Sequence, residues 1–151
     1  MYGNGGVAMK RIVVILTVIC IMITGCSIKE TFITEKLITA TQVKELFDKY
    51  EIERSEPKDL HPQNVFTRVL NGVTPETYEI NNDQLISIYV YSSSKEAKEG
   101  EKGFKDSTAT ADVVQHSVYV IGNVLLFYVA DRDFKDSRVE RVMNDMLTLL
   151  V

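Results

Sequence analysis

The sequence predicts an α+β domain with a mainly antiparallel sheet of three to five strands and helices packed on one face, preceded by a cleaved signal peptide. Three observations lead to this prediction. Apolar residues recur at helical spacing near both ends of the domain, Leu85–Tyr91 alternates like a half-buried strand, and two apolar runs meet at Gly122-Asn123. The expected order is helix, strand, strand, helix, hairpin and helix.

Three helices are predicted from the polar capping residues that precede them. Thr39, Ser93 and Ser137 are each followed three residues later by Gln or Glu, which is the pattern of a capping box. The second helix, which runs to about Lys105, is very polar and should lie shallowly on the surface. The first and third helices have apolar stripes that predict core-facing sides: Val43, Leu46, Phe47, Tyr50, Val139, Val142, Met143, Met146, Leu149 and Leu150.

Two strands are predicted between the first and second helices. A polar loop at Glu51–Gln63 is followed by the apolar run Asn64–Leu70, which ends at the turn signal Asn71-Gly72. The next run, Leu85–Tyr91, alternates between two faces. These faces are Ile86, Ile88 and Val90 on one side and Ser87, Tyr89 and Tyr91 on the other.

A hairpin is predicted ahead of the last helix. Val113–Ile121 and Val124–Ala130 are joined by Gly122-Asn123, a pair suited to a type II′ turn with glycine first. A two-residue turn fixes the register of the two strands and assigns neighbouring residues to opposite faces. The expected partners are Val120 with Leu125, Val118 with Phe127, and His116 with Val129.

The N-terminus has the parts of a secretory signal. The basic pair Lys10-Arg11 is followed by the apolar run Ile12–Ile23 and then by small residues at the cleavage position. The run has about a dozen residues, whereas a membrane-spanning helix needs roughly 20. A cleaved signal over residues 1–25 is therefore expected, with translation starting at Met1 or Met9.

The residues Ile23-Thr24-Gly25-Cys26 resemble the lipobox of bacterial lipoproteins. In that family the cysteine thiol is coupled to diacylglycerol and the signal is cut just before it. The resemblance implies cleavage between Gly25 and Cys26, acyl chains such as palmitate on Cys26, and anchoring at the extracytoplasmic face of the cell membrane. Residues 26–38 would form a tether and residues 39–151 a single domain. The alternative is a plain secretory signal, or a short buried apolar segment with a chance cysteine.

Charge and cysteine content exclude several classes of partner and site. The chain has 17 basic and 21 acidic residues, and the signal contains basic residues but no acidic one, so its removal leaves a more negative domain. Such a domain gains nothing from nucleic acid phosphates. Cys20 lies in the signal and Cys26 would be consumed by lipidation. Disulfides, thiol chemistry and cysteine metal sites are therefore not expected in the mature protein.

The residue types that could support catalysis or bind a metal form no recognised motif. His61 lies in a loop sequence and His116 in a valine-rich run, and neither has a partner at ligand spacing. The acidic cluster after the hairpin lacks the spacing of a calcium loop. No cofactor or metal is expected. The rival hypothesis is a small envelope hydrolase or metal-binding protein that uses either histidine with nearby carboxylates: Asp59, Asp131, Asp133 and Asp136.

Three stretches of the domain resemble the small uncharacterised lipoproteins of spore-forming Gram-positive bacteria. They are Leu70–Tyr78, Ile88–Ser93 and Asn123–Tyr128. This resemblance implies no activity and assigns no catalytic residues.

Together these observations predict a non-enzymatic, membrane-anchored envelope module whose domain binds a protein or a small ligand. The expected binding surface is the second face of the hairpin with the adjacent tyrosines of the preceding strand. Its residues are Tyr89, Tyr91, Tyr119, Leu126 and Tyr128. A structural accessory that only needs to be anchored is a further alternative.

Overall fold

Four antiparallel strands form one open sheet in the computed structural model, which describes residues 35–151. They are β1 (Glu76–Ile80), β2 (Gln84–Val90), β3 (His116–Ile121) and β4 (Val124–Val129). The order across the sheet is β1-β2-β4-β3, so β2 and β4 are central and β1 and β3 are the edges. With three helices beside this sheet, the α+β class and the antiparallel sheet of three to five strands are confirmed.

The three helices are α1 (Ala40–Lys49), α2 (Ser94–Thr108) and α3 (Ser137–Thr148). At α1, the predicted capping box is present. The backbone N–H of Gln42 donates to Thr39 Oγ1 at 3.2 Å, and the Thr39 N–H donates to Gln42 Oε1 at 2.9 Å. These bonds satisfy donors that have no partner inside the helix.

The cap of α3 differs from the prediction. Asp136 caps this helix instead of Ser137, and its carboxylate accepts from the Arg138 N–H at 2.9 Å. Glu140, the other expected member of the capping box, instead accepts a hydrogen bond from the Tyr119 hydroxyl. An aspartate is as good a cap as a serine, and here it also forms an ion pair with the Arg138 side chain.

The helices cover both faces of the sheet, which corrects the expectation that all of them share one face. α1 and α3 pack on the face that carries Ile86 and Ile88 of β2, which we call the two-helix face. α2 packs on the opposite face, which carries Tyr89 and Phe127 and which we call the aromatic face. The sequence hides this arrangement because α2 contributes only Ala97, Gly100 and Phe104 as buried residues.

The first predicted strand is wrong. Asn64–Leu70 contains a short 3-10 turn, Val65–Thr67, in which the Phe66 N–H donates to Asn64 Oδ1 at 2.9 Å and the Phe66 ring is buried. The strand that pairs with β2 is β1, which was not predicted. Only Ile80 of its five residues is fully buried, so β1 shows no clear apolar alternation.

The hairpin of β3 and β4 has the predicted register. Val120 pairs with Leu125, Val118 with Phe127, and His116 with Val129. Gly122 has φ +55°, a conformation that favours glycine and supports its place as the first turn residue. The first strand is shorter than expected, because residues 113–115 precede β3 without pairing to β4.

Asn123 joins the start of the described chain to the sheet. Its buried amide accepts from the Ile38 N–H at 2.7 Å and donates to the carbonyl oxygens of Ile38 at 3.0 Å and Tyr91 at 2.8 Å. Ile38, which belongs to the expected tether of residues 26–38, is therefore buried against the sheet. The signal over residues 1–25 and the rest of the tether lie outside the described residues.

No helix in residues 35–151 is long and apolar enough to cross a membrane.

Candidate functional site

The predicted tyrosine surface is wrong, because four of its five residues are buried and the set is divided between the two faces of the sheet. On the aromatic face, the Tyr89 hydroxyl donates to the carbonyl oxygens of Phe66 at 3.0 Å and Arg68 at 2.8 Å. The Tyr91 hydroxyl donates to the Leu70 carbonyl at 3.2 Å, and burial raises the pKa of Tyr91 to about 12. Both tyrosines therefore fix the segment that follows the 3-10 turn.

The other three residues of that predicted surface lie on the two-helix face. Leu126 is fully buried, and Tyr128 donates to Gln84 Oε1 at 2.6 Å while accepting from the Asp136 N–H at 2.8 Å. Tyr119 is half-buried and bonded to Glu140, and burial raises its pKa to about 12. These side chains are apolar enough to fill a core, and α3 covers them.

The two histidines do not converge on a site. His61 is exposed, and its Nδ1 accepts from the Gln63 N–H at 3.1 Å. His116 packs against the Phe66 ring, with centroids 5.0 Å apart, and its Nδ1 lies 2.8 Å from the Val114 carbonyl oxygen. Because a carbonyl only accepts, that imidazole nitrogen carries a proton. Neither histidine lines one of the three clefts that border the turn between β1 and β2.

The acidic residues named with the histidines are also dispersed. Asp59, Asp131 and Asp133 are exposed, whereas Asp136 caps α3. The hydrogen bonds from the Arg138 side chain lower the pKa of Asp136 to about 2. Within residues 35–151, no three His, Cys, Asp or Glu side chains are placed to hold a metal ion.

Three clefts surround the turn between β1 and β2. The largest has a volume of about 560 Å³, within the range of small-ligand sites. It is lined by three acidic residues, three basic residues and polar turn residues: Glu51, Glu53, Arg54, Ser55, Lys58, Glu79, Asn81, Asn82 and Arg138. We call it the mixed-charge cleft. Two smaller clefts of about 230 and 300 Å³ share Asp83 and Gln84 of the same turn.

A hydrogen-bond network holds the mixed-charge cleft in shape. The Arg138 guanidinium donates to both Asp136 carboxylate oxygens, and it donates to the Glu51 carbonyl at 2.8 Å. The Asn81 amide donates to Asp136 at 3.0 Å and to Gln84 at 3.1 Å. All buried side-chain nitrogen and oxygen atoms in residues 35–151 have partners. The network therefore fixes the turn and the start of α3 as one rigid wall.

Other side chains of the mixed-charge cleft remain open to solvent. Glu51, Glu53 and Lys58 are exposed and form no ion pair within residues 35–151. Three residues of the rim have positive φ, namely Glu51 at 54°, Asn81 at 52° and Asn82 at 71°. For Glu51 this backbone conformation is uncommon, since only glycine and asparagine-like residues adopt it readily.

Sequence reasoning identified the loop Glu51–Gln63 but not the cleft. The residues that line it come from this loop, from the β1–β2 turn and from α3, which are far apart in the chain. The available signal was the turn sequence Asn81-Asn82-Asp83, whose residue types tolerate positive φ. The predicted lipidation site Cys26 and its cleavage partner Gly25 lie outside the described residues.

Comparison with protein-family models, with curated proteins and with solved structures gives no match to this chain.

Proposed function

We propose that this protein is a lipoprotein of the cell envelope, anchored through Cys26 at the extracytoplasmic face of the membrane, with a folded domain that binds a ligand. The observation that supports the anchor is Ile23-Thr24-Gly25-Cys26 at the end of an apolar run. Two acyl chains would give a stable anchor, since each buried methylene contributes about 0.8 kcal/mol. The likeness of the domain to small lipoproteins of spore-forming Gram-positive bacteria supports the same assignment.

The anchor is tested by expressing the full chain in a Gram-positive host fed with a labelled fatty acid. The wild-type chain should be labelled and sediment with membranes. Cys26→Ser should lose the label and either reach the medium or remain as a longer precursor. Cys20→Ser is the matched control, because Cys20 lies in the segment to be removed. A Cys26→Ser band of mature size, retained in the membrane, would contradict the proposal.

The mixed-charge cleft is the proposed ligand site of this module. Its lining includes the exposed residues Glu51, Glu53 and Lys58, so it offers both signs of charge to a ligand that carries both. A zwitterionic amino acid or the end of a short peptide has that chemistry. The rigid wall formed by Arg138 and Asn81 supports this choice, since a preformed cleft avoids the cost of ordering on binding.

Binding is tested by NMR titration of residues 27–151 with glycylglycine up to about 10 mM, a range that detects weak ligands. Amide shifts should concentrate at residues 51–58 and 81–82. Glu53→Ala and Lys58→Ala should each weaken binding about tenfold, the loss of one charged contact. Lys98→Ala, an exposed lysine on α2, is the control. Shifts elsewhere, or none, would rule out this ligand class at the cleft.

A further inference from the structure

The two edges of the sheet differ in whether their backbone groups are already bonded. At the β1 edge, Ser55 and Glu79 exchange two backbone hydrogen bonds of 3.0 and 2.9 Å. At the β3 edge, no such cover exists within residues 35–151. The β3 edge is therefore the open side of the described sheet.

The hydrogen-bond alternation shows which β3 residues face outward. The Tyr91 N–H donates to the Asn123 carbonyl at 2.9 Å, so odd-numbered residues of β4 bond toward β2 and even-numbered ones toward β3. Val124 of β4 therefore forms a hydrogen-bonded pair with Ile121 of β3, next to the turn. Every second residue pair farther along these two strands is hydrogen-bonded in the same way. His116, Val118 and Val120 consequently direct their N–H and C=O groups away from the sheet.

The β3 strand itself also lacks the charged residues and prolines that normally prevent strands from pairing with other chains. Its sequence, His-Ser-Val-Tyr-Val-Ile, contains no Lys, Asp, Glu or Pro. By contrast, β1 carries Glu76 and Glu79. An uncharged edge with open backbone groups is a template for another strand.

The helix α3 runs beside β3 and forms one wall of this edge. Lys135 Nζ donates to Ser117 Oγ at 2.6 Å and the Tyr119 hydroxyl to Glu140 at 2.5 Å, so the two segments advance in the same direction. Leu147, two turns beyond Glu140 on the same side of α3, is 52% exposed. Val114, just before β3, is 61% exposed. Exposed apolar side chains thus lie near both ends of the open strand.

We propose that β3 pairs with β3 of a second copy, in antiparallel orientation, to form a two-fold symmetric dimer with one continuous sheet. With the two-fold axis at Val118, the outward residues form three opposed pairs. Val118 lies opposite Val118 of the second copy, and each His116 lies opposite the Val120 of the other copy. This pairing forms about six backbone hydrogen bonds, two for each opposed pair. It also places no charged strand residue opposite another. A two-fold axis is the ordinary symmetry of such a contact.

Disulfide trapping tests the register in residues 27–151, which contain both hydrophobic cores and no cysteine. Val118→Cys should cross-link to itself under mild oxidation, because opposed residues of a bonded pair lie about 5.5 Å apart between Cα atoms. The matched control is Thr77→Cys, which occupies the corresponding outward position of β1. We expect a cross-linked fraction roughly tenfold above that control. Equal fractions for the two variants would overturn the proposal.

The oligomeric state gives an independent measurement. In sedimentation velocity the wild-type domain should shift from monomer to dimer with rising concentration. Val118→Lys should stay monomeric because it places two like charges opposite each other. Its circular dichroism spectrum checks that the fold is kept. A wild-type chain that stays monomeric up to about 1 mM would overturn the proposal.

Hydrogen exchange distinguishes the second copy from other occupants. The Val118 amide should gain protection only at concentrations where the dimer forms. If that amide is already protected in the monomer, and deletion of residues 27–34 removes the protection, the tether covers the edge and the proposal is wrong. If it exchanges freely at all concentrations, no strand is added at β3 and the proposal is equally wrong.

Discussion

The two faces of the sheet are buried by different means. On the two-helix face, α1 and α3 pack mainly aliphatic and methionine side chains, with the single ring of Phe47, against Ile86, Ile88 and Leu126. On the aromatic face a single helix suffices, because the rings of Phe66, Phe104 and Phe127 fill the space. Phe104 and Phe127 have centroids only 4.3 Å apart. One face therefore depends on helix number and the other on ring size.

The difference shows most clearly in how polar groups are satisfied. The aromatic face holds loop backbone through tyrosine hydroxyls, such as that of Tyr89. The two-helix face holds helix ends through carboxylates, such as that of Asp136. Aromatic residues provide both bulk and a polar tip, which allows a loop to replace a second helix. Substitutions on one face should therefore have effects distinct from those on the other.

Gly100→Ala should cause the largest loss, because it breaks the closest approach on the aromatic face. A Cβ at this position would lie 2.1 Å from the Tyr91 hydroxyl oxygen. Relief of that clash displaces Tyr91 and its bond to Leu70, at a cost of about 3 kcal/mol in the free energy of unfolding. Urea denaturation measures this value. Gly103→Ala, with no atom within 4 Å of its Cβ, should instead stabilise α2 by roughly 0.5 kcal/mol.

Asp136→Asn should reduce stability on the two-helix face by about 2 kcal/mol at neutral pH. The pKa of Asp136 is lowered to about 2 by Arg138, below its ordinary unfolded value. Its contribution is therefore complete above about pH 4 and is lost as the pH falls toward 2. Urea midpoints across this window should show wild type and variant converging at low pH. Asp133→Asn, at an exposed neighbour, should leave the neutral midpoint unchanged, and a constant gap between wild type and Asp136→Asn would contradict the assignment.

Tyr89→Phe should cost about 1 to 2 kcal/mol by leaving the carbonyls of Phe66 and Arg68 without their donor. The ring and its packing remain. Hydrogen exchange should accelerate first in the segment around the 3-10 turn. Tyr50→Phe removes a hydroxyl bond to Asp145 near the surface of the two-helix face and should change the midpoint far less. Equal effects would mean that the loop does not depend on the aromatic face.

Lys49→Met should have the smallest effect. The Lys49 ammonium pairs with Asp145 at 2.8 Å across α1 and α3, but its side chain is 60% exposed. Water and salt screen such a pair, so the urea midpoint should hardly move. A large loss would show that ion pairs, and not apolar packing, hold the two helices together.

The elements with strong periodicity could be predicted from the sequence. The stripe of α3 and the register of the hairpin follow from local spacing alone, and the structure has both. β1 could not be found this way, because edge position leaves four of its five residues without full burial. The positions of the helix caps could be predicted from residue type. Whether Ser137 or Asp136 caps α3 could not, because Asp136 is held by Arg138 and Asn81.

The tyrosine surface was predicted wrongly and the mixed-charge cleft was not predicted, both for the same physical reason. Whether Tyr89 and Tyr128 are exposed depends on what covers them, and that cover comes from segments distant in the chain. The mixed-charge cleft likewise joins residues 51–58 to Arg138. Neither arrangement leaves a periodic trace in the sequence. The anchor prediction at Cys26 rests on local sequence alone and stays a prediction.

Asn123 also determines where a mechanical load would enter the domain. A pull on the chain ahead of Glu35 acts first on the exposed bonds of Glu35 to Ser94 and of Lys36 to Val151. It then reaches Ile38, whose N–H and carbonyl are both held by the buried Asn123 amide. That same side chain is bonded to Tyr91 at the end of β2. The load thereby enters the sheet at the ends of its two central strands, β2 and β4. A domain pulled by its tether would therefore resist unfolding at its central strands. Asn123→Ala should lower the rupture force measured by pulling from the N-terminus.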